Sequence, residues 1–119
     1  MRAEPNDTPP FPRRSARAPA QRLREAIAAL AGPAGEILHH AESNWASITF
    51  SGTRHRLLLY FFDTEGIEAG DRFIEALPEH EFAIPRQLVV EAAVRKVEQS
   101  WLPEPHLEVF IELLLLEED

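Results

Sequence analysis

Residues 107–116 constrain the fold of this chain more than any other segment. Every second residue there is a large aliphatic one: Leu107, Val109, Ile111, Leu113 and Leu115. A period of two is typical of a β-strand with a buried face. The intervening residues begin polar and become apolar: Glu108, Phe110, Glu112, Leu114 and Leu116. Large apolar residues such as Phe110 and Leu114 are unusual on a strand face that is exposed to water. We therefore expect the chain itself or a partner to cover this second face.

Length and composition indicate one globular domain without a membrane span. The chain has 119 residues, of which 45% are apolar and 27% are charged, as in an ordinary soluble domain. No apolar run approaches the ~18 residues that cross a bilayer. No secretory signal is recognisable, so we expect a cytoplasmic protein with no membrane partner. Cysteine is absent, which excludes thiolate metal ligands, and eleven arginines against one lysine are typical of GC-rich bacterial genes.

Charge separates a basic tail from an acidic body. Residues 1–20 carry four arginines against Glu4 and Asp7, a net of +2, so the total of −8 leaves −10 on residues 21–119. An acidic body argues against nucleic acid as the main partner. Four prolines and few apolar side chains predict that residues 1–18 form a disordered tail. Residues 19–119 are expected to form the single domain.

Periodicity and turn residues predict a helix followed by three strands. Pro19–Ala31 is a predicted helix, because proline suits a first turn and the alanines favour helix. Gly32-Pro33 would end it. Three antiparallel strands are predicted at residues 36–42, 45–51 and 54–62, joined by turns at residues 43–44 and 52–53.

The second half of the chain predicts a helix and a hairpin. Asp63 or Thr64 would cap a helix over residues 65–77, which Pro78 would stop. Residues 87–98 fit either a strand or a helical stripe. We favour a strand, because valines are frequent there and the final strand needs a neighbour. The predicted fold is therefore α+β: an antiparallel sheet of about five strands with two helices packed on one face, in the order α-β-β-β-α-β-β.

Sorting the predicted strands by face suggests a function. Tyrosine, tryptophan and arginine among aliphatic residues are typical of a protein-binding surface, and so large an apolar patch is seldom left wet on a monomer. The sequence thus favours a non-enzymatic interaction or adaptor module, self-associating as a homodimer or binding another protein through the sheet. The predicted partner-binding residues are Trp45, Leu58, Tyr60, Phe62, Phe110 and Leu114.

Two alternatives stay open for the same set of residues. If the sheet curls or a helix crosses to this side, the second face is ordinary core. If it holds a pocket, the protein is a small-ligand-binding or enzymatic domain, with polar groups above an apolar floor. The predicted ligand-binding residues are then His40, Arg56, Arg95 and Glu112.

Motifs for catalysis, metal or cofactor binding are not recognisable. His39 and His40 are neighbours in a predicted strand and would point to opposite faces. His80 has no second histidine at the spacing of a helical zinc site. No serine has the surroundings of an activated nucleophile. We therefore predict no catalytic residues, no metal site and no cofactor.

The order α-β-β-β-α-β-β and the acidic charge resemble those of small secretion-chaperone-like proteins. The resemblance covers residues 19–118 and lies in the order of elements alone. It implies a dimer that binds partner polypeptides.

Overall fold

Four long β-strands and two helices make up the computed structural model, which describes residues 18–118. In chain order the elements are α1 Pro19–Ala31, β1 Gly35–Ala46, β2 Ser51–Phe62, α2 Asp63–Ala76, a 3-10 turn Leu77–Glu79, β3 Gln87–Ser100 and β4 His106–Glu117. The strands form one antiparallel sheet in the spatial order β1-β2-β4-β3. The predicted disorder of residues 1–18 lies outside the described residues except for Ala18.

Helix α1 has the predicted bounds. Ala18 is extended, Pro19 opens the first turn, and Gly32 ends the helix with φ 81° while donating its N–H to the Ala28 carbonyl at 3.0 Å. Leu23 and Ile27 are fully buried on the side that meets the sheet. The apolar spacing and the terminal residues therefore both predict the observed bounds of this helix.

Helix α2 begins two residues before its predicted start. Asp63, at φ 63°, still acts as a cap, because its Oδ1 accepts a hydrogen bond from the Gly66 N–H at 2.9 Å. Gly70 of this helix allows a close approach to the sheet, since a Cβ there would lie 2.6 Å from Leu107 Cδ2.

The prediction of five strands is wrong, because the first two predicted strands are one strand and a turn. Ser43 and Asn44, read as a turn, pair with Arg54 and Thr53 in the β1–β2 ladder. The reversal lies at residues 47–50, where the Ser47 N–H donates to the Phe50 carbonyl at 2.8 Å. The turn propensity of serine and asparagine yielded to continuous pairing along β1. The observed order is α-β-β-α-β-β, so the element order behind the chaperone resemblance is also wrong.

The strand interpretation of residues 87–98 is confirmed, but the strand is irregular. Its pairing with β4 shifts register between Val89 and Glu91 and again between Val94 and Lys96. Each extra residue, as in a β-bulge, changes which face of the sheet the subsequent side chains occupy. Leu88 and Val90 of this strand are accordingly 49% and 46% exposed.

Both helices cover the same face of the sheet, which we call the inner face. Its buried aliphatic and aromatic side chains pack with Leu23 and Ile27 of α1 and Phe73 of α2. These inner-face core residues are Leu57, Leu59, Phe61, Leu107, Val109, Ile111, Leu113 and Leu115. Ile48 and Phe50 belong to the predicted strand 45–51, but they lie in the hairpin turn and are exposed. The strand positions whose side chains point away from the helices form the outer face.

Candidate functional site

Within residues 18–118, no helix lies over the outer face of the sheet. The cross-strand register places its side chains in rows that run from β1 through β2 and β4 to β3. The central rows join Leu58 to Phe110 and Arg56 to Glu112. Since successive residues point to opposite faces, these positions cannot reach the core beneath the helices. The outer face is therefore the candidate site.

Three arginines and two glutamates converge at the middle of this face, and we call this group the arginine cluster. Arg54 donates a hydrogen bond from Nη1 to Glu112, and Arg56 Nε lies 3.5 Å from Glu112 Oε1. Arg95 Nη2 donates to Glu91 Oε2 at 2.8 Å. Three cations against two anions leave the cluster a net charge of +1.

Glu112 is the centre of the cluster. Partial burial raises the pKa of its carboxyl, but the hydrogen bond and charge of Arg54, together with the charges of Arg95 and Arg56, lower it by more. The net pKa lies below the ordinary value of 4.5. Glu112 is therefore ionised at neutral pH and holds the three guanidinium groups together.

Apolar and aromatic side chains surround the arginine cluster. Lys96 Nζ lies 5.5 Å from the centroid of the Phe110 ring, a cation–π distance. Tyr60 stacks on His106 with centroids 4.9 Å apart, and Phe62 lies beyond it, 43% exposed. The outer face thus combines a charged centre with partly exposed aromatic side chains towards the Phe62 end of β2.

The predicted partner-binding residues all lie on the outer face, at different depths. Tyr60 and Leu58 are half-buried and lie in neighbouring rows of β2. Trp45 is half-buried at the other end of the sheet, opposite Gly52. Leu114 is only 8% exposed, because its neighbours across the strands are Arg54 and Glu91, whose ion pair spans β4 above it. Leu114 is therefore shielded by its own chain.

Among the predicted ligand-binding residues, Arg56, Arg95 and Glu112 meet, and His40 does not. The β1–β2 register shifts between Ile37 and His39, so the bulge turns His39 to the outer face and His40 to the inner one. Nothing in the local sequence marks that bulge. The same three residues, with Leu58 and Phe110, line a shallow depression of about 320 Å³.

His40 forms a histidine pair on the inner face. Its Nε2 lies 2.9 Å from Nδ1 of His55, and His55 Nε2 lies 2.8 Å from Thr53 Oγ1. His55 is fully buried. Burial lowers the pKa of both histidines, and the charges of His55 and Arg24 lower that of His40 further, while Glu42 opposes both shifts. The pair is therefore neutral at neutral pH, with both ring nitrogens of His55 and one ring nitrogen of His40 in hydrogen bonds.

Sequence reasoning missed Arg54 and the histidine pair. Arg54 lies two residues before Arg56, so strand alternation alone placed both on one face, and that signal was available. The contact between His40 and His55 depends on strand pairing and on the β1 bulge. A single sequence carries no signal for either.

Other classes of site find little support in the described part of the chain. Among residues 18–118, no three histidine, aspartate or glutamate side chains are grouped to hold a metal ion. Neither α1 nor α2 is long and apolar enough to cross a membrane. Comparisons with protein-family models, with curated proteins and with solved structures find no significant match.

Proposed function

We propose that this chain is a non-enzymatic protein-interaction module that associates with a second copy of itself through the outer face. One observation carries the proposal: among residues 18–118 both helices pack on one side of the sheet. The other side carries the partly exposed side chains of Phe62, Leu58 and Phe110 with no helix over them. Contiguous apolar area of this kind marks interaction sites more often than free surface.

The size of the outer face supports the proposal. Four strands ~4.8 Å apart, each of ~12 residues at ~3.3 Å per residue, give a face of roughly 750 Å². A standard protein–protein interface buries about 800 Å² on each partner. The face is thus large enough for a specific dimer without help from the helices.

Charge also favours self-association through this face. The outer face has almost balanced charge, whereas residues 18–119 together carry −10. Two acidic bodies repel each other, and a nearly neutral face is where that repulsion is weakest. Its charged side chains are Arg54, Arg56, Arg95 and Lys96 against Glu36, Glu91, Glu98, Glu108 and Glu112.

The test is the solution mass of the chain across a concentration series, by sedimentation or light scattering. We expect a dimer that dissociates on dilution. Phe110→Asp puts an unpaired carboxylate at the centre of the face and should leave a monomer. Leu102→Asp is the matched control, since Leu102 is 79% exposed in the β3–β4 loop, away from the face. It should dimerise like the native chain.

Folding must be checked separately, because Phe110 is partly buried. Phe62→Asp is a second variant, at a side chain that is already 43% exposed. Circular dichroism should show that both variants keep the native content of helix and strand. A native chain that is monomeric at every concentration would contradict the proposal. Unfolding of both variants would instead assign these side chains to the core.

The depression beside the arginine cluster favours one alternative function, binding of a small carboxylate. Arg56 and Arg95 side chains are 57% and 49% exposed there, above a floor formed by Leu58 and Phe110. Titration with hexanoate, followed by amide chemical shifts, tests this function. Saturable shifts around Arg56 that disappear in Arg95→Ala would support it, and shifts that never saturate would contradict it.

A further inference from the structure

The hairpin between β1 and β2 ends in an apolar turn. The Ser47 N–H donates to the Phe50 carbonyl at 2.8 Å, and the Phe50 N–H donates to Ser47 Oγ at 3.1 Å. Ile48 and Thr49 therefore form the apex, where hairpins usually carry asparagine, aspartate or glycine. Here Ile48 is fully exposed, and Phe50 is 54% exposed. Closing the turn does not require a large apolar side chain at the apex, which indicates a contact outside the monomer.

Charge is absent around this apex. Residues 43–53, which we call the hairpin tip, contain no charged side chain, although 27% of the residues of the whole chain are charged. Trp45 is half-buried on the outer face, just before the turn. Charge begins at the base of the tip, where Ser51 Oγ donates a hydrogen bond to Glu117 at 3.2 Å. The hairpin tip is therefore an uncharged projection at one end of the sheet.

The tip has too little apolar area for a protein interface of its own. Its large apolar side chains are Trp45, Ile48 and Phe50, and an aromatic side chain buries ~150–250 Å². Trp45 and Phe50 are already partly covered, so the total falls short of the ~800 Å² that a specific protein interface buries on each partner. A lipid surface has no such minimum, because each apolar side chain that enters it contributes separately.

The reach of the tip matches the outer layer of a bilayer. The last ladder pair of the hairpin joins Ala46 to Ser51, and two residues beyond it reach ~7 Å further at ~3.3 Å per residue. Apolar groups of interfacial proteins lie ~5–10 Å deep, at the boundary between headgroups and acyl chains. Tryptophan is enriched at the headgroup level itself, which is the level of Trp45 when Ile48 is at full depth.

We propose that the hairpin tip inserts into the surface of a lipid bilayer whose headgroups carry no net charge, with Ile48 and Phe50 at the acyl-chain boundary. Residues 21–119 carry −10, the total of −8 less the +2 of residues 1–20, so anionic lipids would repel the body of the protein. The sequence predicted no membrane partner, since no apolar run can span a bilayer, but interfacial insertion needs no such run. The inference does not depend on self-association.

Binding of the full chain to phosphatidylcholine vesicles, measured by co-sedimentation, tests this inference. We expect the native chain to bind at millimolar lipid. Ile48→Asp should weaken binding about tenfold or more, because a carboxylate replaces the apolar apex, and Ile48→Trp should strengthen it. Leu102→Asp is the matched control, at an exposed side chain in the loop at the opposite end of the sheet, and should bind like the native chain. Since Ile48 is fully exposed, its variants should unfold at the native urea concentration.

The two tryptophans lie at opposite ends of the sheet and report where the contact with lipid is made. In Trp101→Phe the remaining reporter is Trp45, and in Trp45→Phe it is Trp101, in the β3–β4 loop. On addition of vesicles, the emission of Trp45 should shift to shorter wavelength and be quenched by lipids with brominated acyl chains. The emission of Trp101 should not change.

Three results would overturn the inference: a native chain that leaves the vesicles unbound, an Ile48→Asp variant that binds like the native chain, or binding that requires phosphatidylserine in the vesicles, which would assign it to basic groups. The proposed function is tested separately, because solution mass is measured without lipid. Ile48→Asp should keep the native solution mass, and Phe110→Asp should keep vesicle binding. If Ile48→Asp lowers the solution mass and the native chain does not bind vesicles, the tip packs on protein and the inference is wrong.

Discussion

The two faces of the same sheet differ sharply in what covers their side chains. On the inner face, Leu59 and Leu113 have no exposed area and belong to the hydrophobic core beneath the helices. On the outer face, Leu58 and Leu114 are the sequence neighbours of those two leucines. They lie beside arginines and glutamates that form ion pairs across β2, β4 and β3. Packing against the helices thus covers the inner face completely. The outer face is left available for another role.

The comparison also shows why hydrophobic side chains alone identify neither face. Leu114 is almost as buried as its inner neighbours, yet its cover is an ion pair rather than a helix. Ion pairs between partly exposed side chains contribute about 1 kcal/mol or less. A cover of this kind is more easily rearranged than a packed helix.

The largest expected difference between the faces comes from truncating adjacent leucines of β2. Leu59→Ala should lower the free energy of unfolding by about 3 kcal/mol, because it opens a cavity in a closed core. Leu58→Ala should cost about 1 kcal/mol, because water can fill the space it leaves. Urea denaturation of the dilute chain measures both. Equal losses would mean that the outer face is packed as tightly as the inner one.

A smaller effect tests how closely α2 lies on the inner face. Gly70→Ala adds a Cβ that would stand 2.6 Å from Leu107 Cδ2 and 3.1 Å from the Phe61 ring. Overpacking costs about 1–3 kcal/mol, and the better helix propensity of alanine returns about 1 kcal/mol. We expect a net loss near 1 kcal/mol in thermal denaturation. Ala29→Gly in α1 is the reference, since Ala29 is exposed and its replacement mainly changes helix propensity, and a stabilised Gly70→Ala variant would contradict the close approach.

The buried histidine pair predicts a pH dependence that belongs to the inner face. Burial lowers the pKa of His40 and His55 below the ordinary 6.5. At a pH between the pKa of the folded chain and that of the unfolded chain, the unfolded chain therefore binds more protons than the folded one. The free energy of unfolding should therefore be independent of these histidines above about pH 7. It should decrease as the pH drops below 6.5, by at most ~1.4 kcal/mol per pH unit for each histidine.

His55→Gln should flatten the dependence between pH 5 and 6.5 in urea titrations at several pH values. His80→Gln is the control, because His80 is exposed in the segment after α2. Glu112 does not interfere in this range. Its lowered pKa gives stability that is present above 4.5 and is lost at lower pH, as the pH falls through the folded value. A slope as steep in His55→Gln as in the native chain would assign the effect to groups outside the pair, since His40 alone should leave a shallower one.

The smallest effect concerns the arginine cluster. Glu112→Gln removes the anion that holds Arg54, Arg56 and Arg95 together and leaves their mutual repulsion. We expect the free energy of unfolding of the monomer to fall by less than about 1 kcal/mol, because these pairs are partly exposed. The loss should shrink as salt is added. A loss that is independent of salt would indicate that Glu112 acts through packing.

How far the sequence predicted the fold depended on local signals. The alternation of Leu107, Val109 and Ile111 placed β4 and both of its faces correctly, and terminal residues placed α1. The merged first strand was missed because Ser43 and Asn44 favour turns locally, while their pairing with β2 is a long-range effect. The site was predicted in part: Arg56, Arg95 and Glu112 meet, whereas the β1 bulge moved His40 to the other face. The proposed self-association stays a prediction.

The bulges of β1 and β3 have a consequence for the two strands that border the sheet. A border strand with an even ladder invites another chain to add itself sideways, which is the first step towards fibres. Here one border is kinked at Leu38, and the other is kinked at Val90 and Arg95. An incoming strand would lose its hydrogen-bond register wherever it crosses a bulge. Lateral growth is thereby discouraged on both sides of the molecule.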